Sequence, residues 1–109
     1  MREIRYLKEA TGERNGMPAA ERVALDHAAD KLAAFGPQLP FPHQSMVRQG
    51  NGLRELRPRA GRSPWRAFYR RVADIFVIAA IGPEAEADRR GFARAVANAV
   101  TRLQEVESS

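Results

Sequence analysis

The chain has 109 residues, 44% hydrophobic and 28% charged, with no cysteine and a formal charge of +5. That length suits one domain with a self-sufficient core, so residues 1–109 are read as a single domain. The missing cysteine removes disulfides, thiolate nucleophiles and cysteine metal sites together. With no signal-peptide stretch at the N-terminus and no apolar run long enough to cross a bilayer, the expected location is cytoplasmic and away from membranes.

The elements follow in chain order. Glu3 to Lys8 alternates weakly and reads as a short edge strand that ends before Thr11-Gly12 and Asn15-Gly16. Met17 to Phe35 reads as a helix: Pro18 suits its first turn, Leu25, Ala28, Leu32 and Phe35 recur at helical spacing, and Gly36-Pro37 stops it. Three prolines and two glycines between Pro37 and Gly52 predict a long connecting loop. Leu53 to Arg59 reads as a strand with Glu55, Arg57 and Arg59 on one face and Leu56 on the other.

After the turn-like Ala60–Ser63, a strand from Pro64 to Val72 sets Arg66, Phe68 and Arg70 against Trp65, Ala67 and Tyr69. Asp74 to Ile81 is continuously apolar, as in a strand buried on both faces. Asp88 then caps a helix whose apolar stripe is Phe92, Val96, Ala99, Val100, Leu103 and Val106, with Arg89 and Arg90 in its first turn. The expected fold class is α+β: a small, twisted, antiparallel-rich sheet with helices on one face and a basic opposite face.

Charge concentrates in one place. Between Arg48 and Arg71 stand eight arginines against the single acid Glu55, a local balance of +7, interleaved with Trp65, Phe68 and Tyr69. Guanidinium groups beside aromatic rings suit phosphate contact with base stacking, so RNA is the expected partner. On this reading Arg48, Arg54, Arg62, Arg70, Arg71, Arg89 and Arg90 bind RNA.

Other chemistries lack their signatures. No phosphate-binding glycine loop or nucleophile elbow occurs, so nucleotide-dependent and acyl-transfer enzymes are disfavoured. His27 and His43 are isolated and no acidic cluster has ligand spacing, so no metal or other cofactor is expected. His27 reads as a helix-surface residue. A set of arginines can stabilise the extra negative charge of a phosphodiester transition state, and Arg57, Arg59 and Arg66 are the candidates. Arginine is no general base, so the proton of a 2′-hydroxyl must go elsewhere; Tyr69, His43 and Glu55 are the available groups.

Gly52-Leu-Arg-Glu-Leu-Arg-Pro-Arg59, Gly61, Trp65-Arg-Ala-Phe-Tyr69 and the apolar strand to Ile81 recur here as an ordered set. The set resembles the RelE/ParE superfamily, and within it the phage-derived HigB-like branch, over about Leu32 to Val106. The resemblance implies a type II toxin: a ribosome-dependent, metal-independent endoribonuclease that cuts translated mRNA and is silenced by a helix-turn-helix, HigA-like antitoxin. It places Arg57 and Arg59 at the family's basic positions and Arg66 and Tyr69 in its "RxxY" signature, making these four the expected catalytic residues. The chain departs from the pattern after its last strand, where Gly82-Pro83-Glu84-Ala85-Glu86 replaces a Phe-x-Lys-Lys-like segment. Two other readings stay open: a gyrase inhibitor of the ParE kind, and a non-catalytic module that binds RNA or an antitoxin.

Overall fold

A strand that is apolar at nearly every position needs cover on both sides. β5 (Ile75–Pro83) is such a strand, and the computed structural model, which describes residues 1–108, places it inside a five-stranded sheet of order β1-β5-β4-β3-β2. β1 (Glu3–Tyr6) runs parallel to β5, with Glu3 opposite Ile75. β4 (Trp65–Val72), β3 (Arg54–Leu56) and β2 (Gln44–Met46) continue antiparallel on the other side.

Alternation along β4 and β5 sorts their side chains into two cores. Ala67, Tyr69, Phe76 and Ile78 meet Leu25, Ala28, Ala29 and Leu32 of α2 (Ala19–Phe35), together with Ala10 of α1 (Lys8–Asn15). On the opposite face Phe68, Val77, Ala79 and Ala80 meet Ala95, Val96, Ala99 and Leu103 of α3 (Arg89–Ser108). Phe68 pairs with Ala80 and Tyr69 with Ile78, so Ala79 is an extra residue. This bulge turns both Ala79 and Ala80 toward α3. The helix comes close: a Cβ added at Gly82 would lie 2.5 Å from that of Ala95.

The α+β class is as expected, but the helices are not confined to one face. α1 and α2 cover one side and α3 the other, because Phe68 and Val77 would otherwise expose a second apolar surface. The basic residues are accordingly at the ends and edge of the sheet and not spread over an open face. The expected edge strand stops at Tyr6, two residues short of Lys8, and α1 runs through the Thr11-Gly12 pair. That helix has little apolar periodicity. It is held by the fully buried Ala10 and by Glu13, which pairs with Arg102 of α3 at 3.0 Å and accepts the Ile81 amide.

The 37–52 loop contains β2, whose three residues hold the sheet's edge against β3. β3 ends at Leu56 and does not reach Arg59, since Pro58 opens a turn over Pro58–Gly61 in which Arg59 and Ala60 are left-handed (φ 56° and 55°). Asp88 caps α3 as expected, its Oδ1 accepting the Gly91 amide at 2.9 Å.

Candidate nucleic-acid interface

The chain places Glu55 on β3 directly opposite Phe68 of β4 and Ser45 of β2, so its carboxylate lies on the α3 face of the sheet near the β2 edge. Its Oε1 accepts hydrogen bonds from Arg57 Nη1 at 2.9 Å and Ser45 Oγ at 3.1 Å. Arg66 Nε lies 3.5 Å from the same oxygen, an ion-pair distance without hydrogen-bond geometry. One carboxylate therefore gathers two guanidinium groups at the end of the sheet. Each arginine is further fixed. Arg57 Nε donates to Pro42 O, its guanidinium stacks over the Phe41 ring at 5.1 Å, and Gly61 (φ 92°) leaves the space it occupies.

Arg66 is the more deeply set of the two. Its Nη1 donates to Ser63 O at 2.7 Å and Trp65 O at 3.0 Å, its Nη2 donates to Gly61 O, and only 4% of the residue is exposed. Burial, and after it the repulsion of Arg57, pull its pKa below the ordinary guanidinium range, while Glu55 pulls it back. Arg66 thus organises the 61–65 backbone, and Arg57, with a fifth of its side chain exposed, offers the cation that a ligand can reach.

Arg59 separates from this pair. Its left-handed backbone carries it to α2, where Nη1 donates to Glu21 Oε2 at 2.6 Å while Ser63 Oγ donates to Glu21 Oε1 at 2.7 Å. These bonds, Ser63 first and then Arg59, hold the Glu21 carboxyl below its usual range against the opposing effect of burial. A non-glycine residue in this conformation costs about 1–2 kcal/mol, so two in succession are a local strain that the Glu21 clasp offsets.

Tyr69 lies on the opposite face from Arg66, 3% exposed and edge-on to Phe76, and burial pushes its hydroxyl up to about 12. Arg54 of β3 donates to Gln44 Oε1 of the neighbouring β2. Arg70 bonds Gly50 O and Glu107 at the far end of the sheet, and Arg71 bonds Ala73 O in the adjoining turn. Arg48, Arg62, Arg89 and Arg90 are exposed, and their side chains make no hydrogen bond or ion pair among the described residues. Arg62 and the start of α3 belong to the same sheet end as Arg57, because Trp65 pairs with Pro83 and the Glu84 amide bonds Pro64 O.

His43 and His27 line the same cleft as Arg57 and Arg59. Nothing in their spacing signals this, since they are sixteen positions apart with a proline-rich loop between them. No group of three or more His, Asp or Glu side chains among the described residues is arranged to hold a metal.

A family model described as phage-derived protein Gp49-like matches residues 13–80, well over half of the chain. The chain belongs to the Gp49-like family of phage-derived proteins. The match runs from the end of α1 to the middle of β5 and contains Glu55, Arg57 and Arg66; α3 of this Gp49-like chain lies beyond it. Among solved structures, an arginine-to-alanine double mutant of the E. coli toxin RelE in the free state is similar with a TM-score of 0.63 and 15% identity. The alignment covers 87% of this chain and 94% of that one. The fold is therefore that of RelE, as the resemblance implied. Comparison with curated proteins finds no match. No helix among the described residues is long and apolar enough to cross a membrane.

Proposed function

We propose that this protein is the toxin of a type II toxin-antitoxin pair, a single cytoplasmic domain that cuts mRNA on the ribosome and is neutralised by a helix-turn-helix antitoxin. Family membership and the RelE fold support the toxin reading. The observation that carries the RNA chemistry is Arg57, a reachable guanidinium held in one orientation by Glu55 and Pro42 O.

In the proposed reaction a 2′-hydroxyl attacks the adjacent phosphorus: the O2′–P bond forms, the P–O5′ bond breaks, and a 2′,3′-cyclic phosphate and a 5′-hydroxyl result. Glu55 accepts the 2′-proton, Arg57 stabilises the charge that develops on the phosphoryl oxygens, and a solvent water donates the proton that the departing 5′-oxygen takes up. Arg66 acts as a positioning residue through Glu55, and Arg48, Arg62, Arg89 and Arg90 supply phosphate contacts along the chain of the message. Primer extension on a defined mRNA translated by purified ribosomes tests this. Discrete cuts that disappear with Arg57→Ala are expected; an uncut message refutes cleavage.

One observation favours a non-catalytic module instead, because Glu55 and Arg66 are both nearly buried and already bonded within the fold. That reading requires RNA binding that weakens steeply with salt and leaves the message intact.

A further inference from the structure

The cleft between α2 and the 57–60 turn has a composition that the proposed RNA chemistry does not use. It has a volume of about 350 Å³, and its buried lining is apolar and small, Ala24 and Ala28 of α2 with Leu56 of β3, beside the exposed Ala20 and Val23. Lys31, Arg57 and Arg59 also line it, together with His27 from α2 and His43 from the loop before β2. No carboxylate lines it among the described residues. Lys31 makes no hydrogen bond or ion pair of its own among the described residues. Arg59 and Ala60, both left-handed, are among its lining residues, a strain of the kind that concentrates at binding sites.

A concave site of this size with an apolar base and convergent cations selects an anion that carries an apolar body. Small alanine side chains leave room for a flat ring, and the unpartnered ammonium of Lys31 suits a phosphate. We propose that this cleft is a binding site for one nucleotide, its base against the alanine side chains and its phosphate held by Lys31, since Arg59 is already paired with Glu21, with His27 and His43 as hydrogen-bonding partners. The cleft opens on the α2 face, away from Glu55 and Arg66, and shares only Arg57 with the proposed cleavage site. The nucleotide has two sources: a free nucleoside monophosphate, or one residue of the RNA chain.

Calorimetric titration of the whole chain separates them, using adenosine monophosphate, inorganic phosphate and a 2′-O-methyl hexaribonucleotide that no 2′-hydroxyl chemistry can cut. The variants are Lys31→Glu, which reverses the charge of an exposed side chain, Val23→Trp, which fills the cleft from an exposed position, and Lys31→Arg, which keeps the cation. Adenosine monophosphate is expected to bind more tightly than inorganic phosphate and to weaken at least about tenfold in Lys31→Glu and Val23→Trp but not in Lys31→Arg. The same pattern for the hexanucleotide alone assigns the site to the RNA chain. Affinities unchanged by Lys31→Glu and Val23→Trp overturn the proposal, as does inorganic phosphate binding as tightly as the nucleotide. Because the ligands are uncleavable, failure here is distinct from failure of mRNA cleavage.

Discussion

Arg66 Nε and Glu55 Oε1 lie 3.5 Å apart between two side chains that are 4% and 11% exposed. The pair sits beneath Arg57, so one carboxylate supports a buried cation and a reachable one. Truncating Arg66 would strand Glu55 with half its charge balance and free three backbone carbonyls. Arg66→Ala is expected to lower the unfolding free energy by about 3 kcal/mol, read by urea denaturation. An unchanged midpoint would show that Arg66 is not the clasp of the 61–65 segment.

Arg57 is the better probe of activity. It is only partly buried, and its loss leaves Glu55 bonded to Ser45. Arg57→Ala is expected to reduce ribosome-dependent cleavage about 100-fold or more while the fold persists, as checked by primer extension alongside circular dichroism. Glu55→Gln should lower cleavage as well, through loss of the proton acceptor.

Gly61 makes Arg57's position available. Its φ of 92° and the 2.6 Å that would separate an added Cβ from Arg57 Nη2 leave no room for alanine. Gly61→Ala is expected to cost at least about 1 kcal/mol of stability and to displace the Arg57 guanidinium, so that cleavage falls although every catalytic candidate is present. Full activity in that variant would mean that Arg57 need not be held in place.

Tyr69 gives the opposite expectation. Its hydroxyl, pushed up to about 12 by burial on the α2 side, is on the wrong face to exchange protons beside Glu55. A residue that moved a proton would cost about 100-fold or more when removed. Tyr69→Phe is expected to retain cleavage well above that level, and an ultraviolet titration should find its hydroxyl ionising only in strongly alkaline solution.

The clasp between Glu21, Ser63 and Arg59 makes stability depend on pH. The folded-state pKa of Glu21 is below its unfolded value of ~4.3, so the clasp contributes fully above that value. Its contribution is lost as pH falls through the folded pKa. Wild type should therefore exceed Glu21→Gln in stability at neutral pH, with the gap narrowing on acidification below the ordinary carboxylate range. A gap that stayed constant in acid would rule out the ionised clasp.

Strong local patterns made much of the fold legible. The apolar run of β5, the alternation of β4, the helical spacing of Leu25, Ala28 and Leu32, and the Asp88 cap all matched their elements. α1 and β2 were not legible, since neither has periodicity of its own; α1 is ordered by Ala10 and Glu13 against distant partners, and β2 by hydrogen bonds to β3. The expectation of helices on one face also overlooked what β5's two apolar faces demand.

The sequence by itself determined the residue types of the site: a cysteine-free chain, one acid amid eight arginines, and a turn marked by Pro58 and Gly61. Local sterics and composition are enough for that. Only the tertiary structure decided how those groups are used. It paired Arg57 and Arg66 on Glu55, sent Arg59 to α2 through two left-handed residues, buried Tyr69 on the other face and set His27 and His43 in the lining of one cleft. Strand length and backbone handedness, set by packing and not by the side-chain period, determine which way each side chain points.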